Sequence, residues 1–140
     1  MALNLLRVHK ITGQEKYLHS VKNLFSAFSG SLQKSPQGAE VLLHALDFSL
    51  APAKEIVIAG DLTSKKTLQL IKAVNQEFMP AKVLLFRPTD TENPKITKLS
   101  PFLINHNLVN GKPAVYICQD QTCQKPETEL EELLKVLAKQ

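Results

Sequence analysis

The segment Ala114-Val-Tyr-Ile-Cys118-Gln-Asp-Gln-Thr-Cys123-Gln-Lys-Pro126 is an apolar strand pattern that delivers the two cysteines of the chain into a polar loop. Such a pair could be half of a metal site, a redox couple, or a pair of structural residues. A tetrahedral zinc site needs four ligands, commonly built on cysteines two residues apart. Here four residues separate the pair, and His9, His19, His44 and His106 show no paired spacing, so neither a metal nor a cofactor is expected. A thioredoxin-like dithiol needs a two-residue gap at a helix N-terminus, where the dipole lowers the first thiol's pKa. Cys118 ends a strand instead. The pattern therefore favours Cys118 as a small apolar residue and Cys123 as a loop residue. A reversible disulfide across the loop is sterically open, which keeps both as redox candidates.

A second candidate is Gly60-Asp61-Leu62-Thr63-Ser64, at the carboxyl end of the first expected strand, where open parallel sheets bind ligands and a helix N-terminus can hold an anion. Gly60, Asp61 and Thr63 are the ligand-binding candidates. Neither a Gly-x-Gly-x-x-Gly nor a Walker lysine accompanies them, so a tight turn with an Asp or Thr cap is the simpler reading. His44 and Asp47, three apart on one expected helix, could touch. A catalytic pair would need a third group and a pocket. No serine lies in a Gly-x-Ser-x-Gly elbow.

These residues sit in a chain of 140 residues, long enough for one domain with its own core and without a staple. With 44% hydrophobic and 21% charged residues it reads as globular. The net charge of +4 comes from dispersed lysines, which argues against nucleic acid as a partner. No apolar run approaches the roughly 20 residues that span a bilayer, and the N-terminus lacks signal-peptide order. A cytoplasmic location without a membrane partner is the expectation, and in a reducing compartment the cysteines would be free thiols.

The elements that must position the candidates divide near residue 50. Residues 1–50 read as a helical hairpin plus one helix. The first helix ends near Ile11. Thr12 to Glu15 reads as a capping box opening the second, whose Tyr17, Val21, Leu24 and Phe28 stripe runs to Gly30. Ser35-Pro36 leads into a third helix that carries apolar residues on most sides. Residues 51–140 read as a small α/β part: strands at Glu55–Ala59, Lys82–Phe86 and Ala114–Cys118, an amphipathic helix through Leu70 and Val74, and a last helix through Leu133 and Leu137 opened by Thr128 and Glu131. Strands apolar on both faces predict a three-stranded, mainly parallel sheet with helices on both faces, the two parts packing as one unit.

Leu3-Asn-Leu-Leu-Arg7, Thr12-Gly13, Tyr17, Leu46-Asp47-Phe48, Glu55-Ile-Val-Ile-Ala-Gly60-Asp61, Pro113-Ala-Val-Tyr-Ile-Cys118, Cys123-Gln and Pro126 together resemble the C-terminal end of the spermatogenesis-associated thioredoxin-domain proteins and their bacterial relatives. That family joins an N-terminal thioredoxin-like domain to an α/α toroid similar to six-hairpin glycosidases. The resemblance implies that residues 1–50 are the last toroid helices, cut from a longer protein, and that the remainder of that polypeptide is the natural partner. An abrupt apolar first helix fits a cut chain, and an isolated piece would self-associate. The expected function is then a non-catalytic segment that closes a larger protein. A thiol relay through Cys118 and Cys123 is the alternative, and a phosphate or nucleotide site at Gly60-Asp61 is a further one.

Overall fold

The computed structural model describes residues 1–92 and 94–138. They form two units, Met1–Ala53 and Lys54–Gln140. The first unit is helical: α1 (Ala2–Thr12), α2 (Glu15–Lys34) and α3 (Glu40–Leu50). Gly13 stops α1 by adopting the left-handed conformation (φ 69°), from which its N–H donates to the His9 carbonyl at 2.7 Å. The expected capping box at Thr12 and Glu15 does not form. Thr12 is still helical, its hydroxyl donates to the Val8 carbonyl at 2.8 Å, and the residue before α2 is Gln14. That helix also runs four residues past Gly30, because an exposed glycine weakens a helix by only about 1 kcal/mol and does not end it. Expected to be covered on most sides, α3 buries only Ala45 and Phe48 and leaves Val41 and Leu50 exposed.

The second unit is built on β1 (Lys54–Gly60), β2 (Lys82–Pro88), β3 (Ala114–Gln119) and β4 (Thr122–Cys123), in the order β2-β1-β3-β4. β1 and β2 are parallel and joined through α4 (Lys65–Gln76), as their continuous apolar runs predict. The expectation of three mainly parallel strands is corrected by the other pairs: β3 runs antiparallel to β1, a fourth strand pairs antiparallel to β3, and the sheet is mixed. The cause lies in the connection. Ala114 pairs with Ala59 at the same end of the sheet where β2 finishes, so residues 89–113 never cross back. Their described residues hold the four-residue α5 (Ile96–Leu99) and a 3-10 turn at Pro101–Asn105, too little for a crossover helix.

One sheet face carries the core. Ile56 and Ile58 of β1 and Val115 and Ile117 of β3 pack under Leu70, Ala73 and Val74 of α4 and Leu133 and Leu137 of α6 (Leu130–Leu137). Lys82 closes α4 by donating from Nζ to the carbonyls of Val74 (2.6 Å) and Glu77 (2.9 Å). Partial burial lowers its pKa. The second capping box, at Thr128 and Glu131, is also absent: Glu129 stands before α6, and its carboxylate takes Lys66 and Lys112 instead. Strand alternation turns Glu55, Tyr116 and Cys118 to the opposite face, and it is there that the cysteines meet a third group.

Candidate functional site

Cys118 and Cys123 lie directly opposite each other in the β3–β4 hairpin. The turn between the strands has two central residues, Asp120 and Gln121, with φ of 50° and 62°. Two left-handed residues in a row give the tight turn whose twist matches the flanking strands. That turn sets Gln119 against Thr122, and the next pair inward is Cys118 and Cys123, with Cα atoms 3.9 Å apart and the sulfurs joined as a disulfide. Free thiols are thus replaced by a bonded pair. Four intervening residues form a two-residue hairpin, and opposite side chains on one sheet face are in contact. Beneath the turn, Glu55 pairs with Cys118 across β1 and β3, is 1% exposed, and accepts the Gln121 N–H at 3.4 Å.

The third group is His106, placed by the 3-10 turn that Ser100-Pro101 opens. Its ring is buried between Phe102 (centroids 5.2 Å, edge-on) and Tyr116 (4.7 Å, edge-on). Tyr116 is itself held by its hydroxyl, which donates to the Asn107 carbonyl at 2.8 Å. Nδ1 lies 3.0 Å from the Phe102 carbonyl, an acceptor, so the neutral ring carries its proton there and turns the Nε2 lone pair outward. That lone pair faces both sulfurs: Cys123 Sγ at 3.3 Å and Cys118 Sγ at 3.8 Å. Burial pushes the His106 pKa down; the Phe102 carbonyl opposes this and the positive charge of Arg87 reinforces it. The imidazole is therefore neutral at neutral pH. The two sulfurs differ in access, Cys118 being 1% exposed and Cys123 partly exposed.

The other candidates do not join this cluster. Gly60 ends β1 in close contact with α4: a Cβ there would stand 2.6 Å from Thr67 Oγ1 and 3.3 Å from Pro113 Cβ. Asp61 folds back on its own turn, its Oδ1 accepting from the Thr63 N–H (2.7 Å) and the Thr63 hydroxyl (2.8 Å). The backbone bond is the main reason its pKa is lowered. His44 and Asp47 border a shallow depression on α3 with Glu40 and Leu43. The sequence offered His106 only as one of four histidines without paired spacing, and Arg87 of the second unit was not among the candidates. Separations of 12 and 17 residues hide the His106 contacts with the cysteines. The local signal was the Ser-Pro that starts the turn. It fixed a turn without saying which strand the turn would face.

The fold and the site define a small α/β unit with a disulfide across a hairpin, watched by a buried neutral histidine. Over 136 residues, 97% of its length, the chain is 34% identical to spermatogenesis-associated protein 20 of Rattus norvegicus, and 32% identical to the proteins of that name from Homo sapiens and Mus musculus. The similarity is to one segment of these proteins. The chain spans 17% of the length of these relatives. No family model and no solved structure matches it.

Proposed function

We propose that the second unit is a thiol–disulfide exchange module, acting within a larger polypeptide. The observation that carries the reading is the Nε2 lone pair 3.3 Å from Cys123 Sγ, on a ring whose other nitrogen is already engaged. In the reducing direction, the thiolate of an incoming dithiol attacks the partly exposed Cys123 sulfur. A mixed disulfide forms and the Cys118 thiolate leaves. The donor's second thiol then attacks the donor sulfur of the mixed disulfide, releasing Cys123 and closing the donor's own disulfide. Two electrons and two protons pass from the donor dithiol to the cysteine pair. In the oxidising direction His106 is placed to take the Cys123 proton, which leaves the sulfur as the attacking thiolate.

The larger polypeptide is read as a thioredoxin-like domain followed by a glycosidase-like toroid, with this chain at its C-terminal end and the whole in the cytoplasm. The thioredoxin-like domain is then the natural dithiol donor. Against phosphate or nucleotide binding at Gly60-Asp61 stands the ionised Asp61 carboxylate, which would repel an anion.

Single-cysteine variants test the module. Challenged with oxidised glutathione, Cys118→Ser should form a mixed disulfide at Cys123 within minutes, and the added change His106→Phe should slow it about tenfold or more. Equal rates for Cys118→Ser and Cys123→Ser, or no effect of His106→Phe, contradict the reading.

A structural role remains supported for the first unit. Met1, Ala2, Leu24, Phe28, Val41 and Leu42 border an open apolar cleft of 650 Å³, the kind of face that the preceding part of a larger protein would cover. Sedimentation should show the 140-residue chain associating with rising concentration, and Val41→Glu should reduce this. A strictly monomeric chain at high concentration would remove the support.

A further inference from the structure

Reduction of the hairpin disulfide would leave three ligand atoms already assembled: Cys118 Sγ, Cys123 Sγ and His106 Nε2, all within 4.8 Å of one another. We infer that the reduced unit is a zinc-binding site, Cys118, Cys123 and His106 supplying three ligands of a tetrahedral ion and leaving the fourth position open. This rests on the exchange reading above, since the site exists only when the disulfide has been opened.

The geometry argues for this more strongly than the residue types do. Around a tetrahedral zinc with bonds of about 2.3 Å to sulfur and about 2.05 Å to nitrogen, sulfur and nitrogen stand roughly 3.6 Å apart and the two sulfurs about 3.8 Å apart. The observed Nε2 to sulfur distances, 3.3 and 3.8 Å, bracket the first of these values. Only the sulfur–sulfur separation must grow, and breaking the bond permits that by rotation of side chains on a fixed hairpin. The imidazole is prepared as a ligand in a second respect. Metal-bound histidines as a rule donate their other N–H to a carbonyl or carboxylate, which fixes ring orientation. His106 has that partner in the Phe102 carbonyl at 3.0 Å, and the ring is further held between Phe102 and Tyr116. Two thiolates with one imidazole form a soft ligand set that prefers zinc over magnesium or calcium.

The balance is simple. A dithiol such as dithiothreitol gives two electrons and two protons to the disulfide and becomes oxidised. Zinc then displaces the two thiol protons and binds two thiolates, the bound ion carrying no net charge from this ligand set. A disulfide oxidant such as oxidised glutathione takes two electrons back from the thiolates and, with two protons from solvent, becomes two thiols. This restores the Cys118–Cys123 bond and releases the ion, so reducing power and metal occupancy are linked at one hairpin.

The test reduces the 140-residue chain with excess dithiothreitol, removes the reductant without air, counts free thiols, and titrates with Co²⁺ as a spectroscopic stand-in for zinc. The expected result is two free thiols and one equivalent of Co²⁺ with the charge-transfer and visible bands of tetrahedral thiolate coordination. Zn²⁺ should displace it, and the oxidised chain should show no such bands. His106→Ala, with both thiols intact, should weaken binding about tenfold or more. Two free thiols with no tetrahedral cobalt spectrum, or unchanged affinity in His106→Ala, overturn the zinc site and leave the exchange reading standing. A folded chain that keeps its disulfide under excess dithiothreitol overturns both.

Discussion

At the scale of single residues, the site depends on backbone geometry that side chains tolerate poorly. Asp120 and Gln121 both hold positive φ so that Cys118 and Cys123 meet face to face. A glycine adopts that conformation without the steric cost an L-residue bears there. Gln121→Gly should therefore stabilise the second unit by about 0.5 kcal/mol in denaturant unfolding, because the N–H that Glu55 accepts is retained. A loss of stability would mean that the Gln121 side chain contributes more than its backbone does. Gly60 is the opposite case. An added Cβ would meet the side chain of Thr67, fully buried, so Gly60→Ala should cost about 1–3 kcal/mol. Thr67→Ala in the same chain should recover part of that loss. Of the site itself, the cysteines were legible because residue type announces their chemistry. His106 was not, because its role comes from a turn that aims it at a strand far away in sequence. Glu55 was read as part of an apolar strand, and nothing in its neighbours marked it as the carboxylate under the turn.

At the scale of elements, apolar periodicity located α1, α2, α4, α6 and the first three strands, but the mainly parallel direction read from strands apolar on both faces was wrong for β3. A strand covered on both faces looks the same whichever way it runs. Direction followed from the connection, whose short turns cannot carry the chain back across the sheet. Two residues could not announce β4 by periodicity. Cap signals failed for a different reason: the Thr12 hydroxyl is taken by the Val8 carbonyl, and α6 begins one residue later than the Thr128 cap would place it, with Glu129 before it. Hydrogen bonds from Lys112 and Lys66 lower the Glu129 pKa from 4.5 to about 2. A folded value below the unfolded one means that the stabilisation is present above about pH 4.5 and disappears as pH falls toward 2. Since Glu129 is exposed, salt should weaken it as well. The melting temperature of Glu129→Gln should lie below that of the wild type at neutral pH and low salt, and the gap should close in acid or high salt. A gap that persisted at pH 2 would assign the effect to something other than this ion cluster.

At the scale of the whole molecule, a four-stranded mixed sheet serves to bring one buried histidine over one hairpin, while a helical unit carries an apolar cleft of its own. The relatives are longer proteins, of which this chain matches 17%. Among the described residues no helix is long and apolar enough to cross a membrane. The central claim is that the Cys118–Cys123 bond exists to be opened and closed. A redox titration of the folded chain in graded ratios of reduced and oxidised glutathione, extended to lower potential with dithiothreitol and read by alkylation and mass, tests it most directly. The account predicts a reversible two-electron transition with a midpoint in the range of exchange-active pairs, about −270 to −120 mV, and native circular dichroism on both sides of it. A bond that stays closed to below about −300 mV, or that opens only as the chain unfolds, would contradict it and mark the disulfide as structural.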